Sequence, residues 1–173
     1  MSMPGAGANL PLPQWAYVPG ESVEAEADQE TLWQAKALVP SRFRDFVPAR
    51  HLALRYGIAL NDAGYFWESQ EVLQAVWAAA PQGGRERILL RACIQIASAN
   101  LRLRMLKPRA AARLLGEALG ELNALGLRKA VAGGHGFADG FPTEALAALL
   151  GAKLAQPLLS KVDWVKIGAI SRI

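Results

Sequence analysis

At 173 residues, 52% of them hydrophobic and 20% charged, the chain has enough apolar material for one globular domain with its own core, which excludes a disordered or low-complexity protein. The formal net charge is +4, and Cys93 is the lone cysteine, so an internal disulfide and a cysteine-based zinc cluster are both excluded. A reducing compartment, and with it a cytoplasmic location, is the expectation.

Residues 1–28 are rich in proline, glycine and acid and read as an irregular N-terminal arm. The opening residues lack a basic n-region and an apolar h-region, so no signal peptide is expected. Trp15, Tyr17 and Val18 argue that the arm packs on something. Residues 29–173 then form a single helical domain. A first helix runs from the N-cap Asp28 to Val39, ahead of the stop signal Pro40. Pro48 suits the first turn of a second, reaching Ala63, and Gly64 can take the left-handed conformation of a helix end. A third spans Tyr65 to Ala80 and is closed by Pro81-Gln82-Gly83-Gly84.

The fourth, Arg85 to Lys107, is apolar over most of its circumference and reads as the central helix. Arg91, Gln95, Asn100, Arg102 and Arg104 interrupt it, which argues against a membrane span. Pro108 opens a fifth helix ending near Gly126. Gly133 to Gly140 reads as a loop, and a last helix runs from Pro142 or Thr143 to Leu154. The tail has no clear pattern. Its Leu158, Leu159, Val162, Trp164, Val165 and Ile167 can cover the bundle or a second copy of the chain. Short connections favour antiparallel neighbours. The fold class expected is all-α, a compact antiparallel bundle of about five to seven helices with an irregular N-terminal arm.

On a helical wheel, Tyr65, Phe66, Val72, Leu73, Val76 and Trp77 of the third helix share one broad core face. Gln70 and Gln74 are an i, i+4 pair at its edge, and Glu71 and Glu68 continue round towards solvent. The fourth helix carries one polar stripe, Arg87, Arg91, Gln95, Ser98 and Arg102. A buried guanidinium must be paired, and Glu68 and Glu71 are its natural partners. The candidate pocket is therefore Trp67, Glu68, Gln70, Glu71, Gln74, Arg91 and Gln95. A satisfied structural network is the competing reading of the same residues.

Other residues carry less. His51 reads as a boundary histidine, His135 with Asp139 is a weak metal signal, and Ser69 and Ser98 lack a nucleophile-elbow context. Cys93 reads as a buried inert thiol, and Trp33 and Trp67 as packing residues.

Gly64, Tyr65, Phe66, Trp67, Glu68, Ser69, Gln70 and Glu71, with Trp77 further on and Gln95-Ile96-Ala97 beyond, resemble the bacterial and archaeal family called domain of unknown function 309. The likeness covers a core of residues 56–125, with a shorter echo at Leu12 to Gly20. Members of that family are often labelled predicted metal-dependent hydrolases. The resemblance implies an all-helical bundle whose Gly-Tyr-Tyr-Trp-Glu-Ala-His-Glu segment starts a central helix. Against that pattern Gln70 stands for a histidine, Gln74 for a glutamate, Ala59 for an aspartate and Arg91 for a glutamine. The arm also lacks a His-Pro pair that often follows the echo.

Neutral amides hold divalent ions poorly. No metal or other cofactor is therefore expected, and the leading reading is an uncharacterised helical protein, a non-catalytic binding or structural relative of the family with its metal site degraded. One alternative is a hydrolase using Glu68 or Glu71 as base with Arg91 holding an anion. Another is polyanion binding by the eight basic residues between Arg85 and Arg113. A small molecule and a second copy of the chain stay open as partners. Neither a membrane nor nucleic acid is expected.

Overall fold

The computed structural model describes residues 10–21, 29–128, 134–156 and 163–168. Among them are seven helices and no strand: α1 (Gln29–Ala37), α2 (Leu52–Asp62), α3 (Phe66–Ala79), α4 (Arg85–Arg104), α5 (Pro108–Gly126), α6 (Phe137–Gly140) and α7 (Thr143–Leu154). The all-α expectation holds. The proposed N-cap Asp28 and most of the acidic stretch near it lie outside the described residues.

α4, 20 residues long and so about 30 Å, is the axis of the packing. Its Leu89, Leu90, Cys93, Ile96 and Leu103 are buried between α3 on one side and α5 on the other. α2 packs on α3, α7 on α5, and α1 lies across α3 and α2. Leu54, Leu60, Leu73, Leu115, Leu122 and Leu146 fill the space between neighbours. Aliphatic side chains at helical spacing leave few voids in such a core.

Two helix boundaries differ from expectation for physical reasons. Pro48 stands ahead of α2 instead of inside its first turn. It forms an isolated antiparallel bridge with Gly136, supported by Phe137 N–H donating to the Val47 carbonyl at 2.7 Å. His51 caps α2 in its place, with Nδ1 accepting from Ala53 N–H at 3.2 Å. The glycine-rich loop before α7 contains the single turn α6, which packs on α4.

α2 ends as expected, with Gly64 at φ +97° while Tyr65 N–H reaches the Leu60 carbonyl at 2.8 Å. That pattern of paired reverse bonds repeats at the end of α4, where Lys107 N–H meets the Arg102 carbonyl and Leu106 N–H the Leu103 carbonyl. There the left-handed position is held by Leu106, at φ +62° and 72% exposed. A β-carbon crowds the backbone in that conformation, and this leucine gains little from burial in return. Replacing Leu106 with glycine should therefore raise stability by about 0.5–1 kcal/mol, read as a higher denaturation midpoint with an unchanged slope. An unchanged or lower midpoint would contradict the strain.

Candidate functional site

The acidic residues of α3 hold the chain together. Glu68 is 0% exposed, and Oε2 accepts from the backbone N–H of Tyr17 at 2.8 Å. Its expected drift towards solvent is thus corrected, because the N-terminal arm lies over it. The arm is fixed further by the Tyr17 ring, edge-on to Trp67 with centroids 5.2 Å apart, and by Val18 buried with Phe66 and Leu101. The Tyr56 hydroxyl donates to the Pro11 carbonyl, and Glu21 grips Arg104 through two bonds of 2.8 and 3.0 Å. Glu71 pairs with Lys36 of α1 at 2.8 Å. Gln70 is half-buried beside these anchors, and Gln74 is exposed.

The stripe on α4 does not meet Glu68 or Glu71. Arg87 lies 4.2 Å from the centre of the Trp77 ring and donates to the Ala80 and Ala78 carbonyls, each at 3.3 Å. A guanidinium suits the negative end of α3, where carbonyls lack helical partners. Arg91 is exposed, 5.7 Å from the same ring. Gln95 donates to Glu117 of α5 at 3.4 Å. The seven residues of the candidate pocket are therefore shared out among the arm, α1, α5 and solvent.

A buried polar centre that pattern reading passed over lies between α2 and α4. Asn100 Oδ1 accepts from Val165 N–H at 3.0 Å, and its Nδ2 donates to the Val165 carbonyl at 2.9 Å and to Asn61 Oδ1 at 2.8 Å. Asn61 Nδ2 donates to the same carbonyl at 3.0 Å. Next along α2, Asp62 accepts from Ile167 N–H at 2.7 Å and Gly168 N–H at 2.6 Å. A β-carbon on residue 168 would press on the Asp62 carboxylate, which would have to shift from its place. Trp164 adds an edge-on contact with Phe66. The signal in the sequence was two asparagines falling on otherwise apolar faces.

A cleft of about 700 Å³ lies on the outer side of α2. One wall is the i, i+3, i+4, i+7 face Arg55, Ile58, Ala59 and Asp62, with Pro48 and Arg50 ahead of it. The other is built by His135, Phe137, Phe141 and Pro142, and Gly168 closes one end. Behind it Glu86, 5% exposed, lies against Gly136. Burial pushes the Glu86 carboxyl above its ordinary range, and the neighbouring Asp139 charge adds to this. Hydrogen bonds from the backbone at Glu86 and Ala138 act the other way. Burial lowers the affinity of His51 for a proton. It pushes the Cys93 thiol up to about 12, in agreement with an inert side chain.

These donors do not suit a metal ion. Among the described residues no three histidine, cysteine or acidic side chains stand close enough to hold one. Gln70 and Gln74 offer neutral amides, and Glu68 and Glu71 are bound to Tyr17 and Lys36. No helix is long and apolar enough to cross a membrane among the described residues.

The family model described as Domain of unknown function (DUF309) matches residues 54–114, and over this stretch the chain is similar to that family. Among curated proteins and among solved structures nothing matches.

Replacing Asn100 with alanine strands the Val165 backbone and the Asn61 carbonyl oxygen. Denaturant unfolding should show a loss of about 2–3 kcal/mol, with faster amide exchange at Val165. For Glu86, a carboxyl raised in the folded state contributes stability that is complete below its ordinary value of 4.5 and is lost as pH rises through the folded value. Glu86→Gln should flatten the midpoint-against-pH curve from that point upward. A variant curve parallel to the wild type's would refute the assignment.

Proposed function

We propose that this DUF309-like protein is a non-catalytic binding or structural protein, in which the site that family members are labelled for has lost its metal-holding side chains. One observation carries the reading. Glu68, the central acid of the family-like motif, is sealed from solvent and spent on the backbone of the arm. A carboxylate closed off in this way cannot reach a substrate or relay a proton to water. Glu71 is half-buried and tied to Lys36, and Arg91 points elsewhere, so the carboxylate-plus-arginine pair that a hydrolase would need is not assembled.

The basic tract between Arg85 and Arg113 gives less support to polyanion binding. Arg85 donates to the Ala138 carbonyl at 2.7 Å, Arg87 caps α3, and Arg104 and Arg113 face Glu21 and Glu117. Four of the eight are thus engaged within the chain, two of them by an opposite charge, and an engaged group is less available to a phosphate.

Elemental analysis of protein purified without chelators tests the reading. The expected content of zinc, iron and manganese is far below one ion per chain. A stoichiometric ion bound beside Gln70 and Glu71 would overturn it.

A further inference from the structure

We infer that the cleft on α2 binds a small molecule carrying a phosphate or carboxylate on a compact apolar body. The inference rests on reading the chain as a binding protein and supplies the chemistry of its ligand. A volume of about 700 Å³ is ample for such a molecule, since ligand pockets run from about 300 to 1,000 Å³. Ile58, Ala59, Phe137 and Phe141 provide apolar lining, and Arg50, Arg55 and His135 provide hydrogen-bond donors.

The charge balance favours an anion. Among the described residues neither the Arg50 nor the Arg55 side chain is engaged in an ion pair or hydrogen bond, in contrast to those of Arg85, Arg87, Arg104 and Arg113. Asp62 is the acid lining the cleft, and its carboxylate oxygens accept from Ile167 N–H, Gly168 N–H and Asn61 Nδ2. Of the acids behind the opposite wall, Asp139 accepts from Gly136 N–H, and burial favours the neutral form of Glu86. Two planar guanidinium groups on one cleft, with nothing internal to satisfy them, suit a bidentate oxyanion. Gly168 and Asp62 also join this cleft to the seat of the C-terminal segment, so an occupant touches both.

The test is an amide NMR titration of the full chain with phenyl phosphate and 3-phenylpropionate, and with inorganic phosphate and benzyl alcohol as half-ligands. We expect saturable shifts at Ala59, His135 and Gly168 with at least one complete probe, and binding weaker by about tenfold or more for each half-ligand. The stronger of the two complete probes identifies the anion. Replacing both Arg50 and Arg55 with alanine should cost about tenfold in affinity, and Ala59→Trp, which fills the cleft from an exposed helix position, should abolish the shifts. Binding that ignores these variants, shifts confined elsewhere, or no saturation by either complete probe up to about 10 mM overturns the inference. Steady cleavage of phenyl phosphate would instead sink the non-catalytic reading while leaving the site in place.

Discussion

Two asparagine side chains sealed between α2 and α4 impose the strictest condition on this molecule. A primary amide buried in an apolar seam is costly unless both its donors and its acceptor are met. Asn61 and Asn100 meet part of that demand in each other, and the rest in the backbone of Val165. The fold of the helices alone therefore does not complete the core. A segment far along the chain has to arrive, in one register, before the seam is satisfied.

The same logic governs the N-terminal arm. Glu68 occupies the middle of the family-like motif, and its partner is a backbone N–H in the arm. The family-like motif and the Tyr-Val-Pro-Gly echo thus meet in space, although about fifty residues separate them in sequence. Side chains that look like chemistry in a sequence are here used as brackets. Acids in brackets are held by backbone donors, by Lys36 or by Arg104, whereas no ion pair holds the side chains of Arg50 and Arg55 at the cleft among the described residues.

Helix content and order were legible because they follow from local rules. Pro108 at the start of α5, Gly64 past the end of α2 and the apolar periodicity of α4 each act within one or two turns. The errors arose where a distant segment intervened. The wheel put Glu68 towards water because a wheel cannot know that an arm will lie on it. Pro48 looked like a helix opener because its bridge to Gly136 depends on a loop almost ninety residues later. The candidate pocket residues take separate partners for the same cause. Glu71 and Arg91 are near in sequence pattern, but α1 claims the first and Trp77 accompanies the second. The cleft itself was hidden, since only one of its walls is a helix face and the other is an irregular loop.

The asparagine seam also imposes an order of events on biogenesis. α2 to α5 can associate through contacts between neighbours in sequence, which close quickly. Val165 is made well after Asn61 and Asn100, and until it leaves the ribosome the amide groups that it will meet can be satisfied only by water. A nascent chain stalled before that point would carry a hydrated fissure between two of its central helices, a feature by which quality-control machinery could tell the unfinished chain from the finished one.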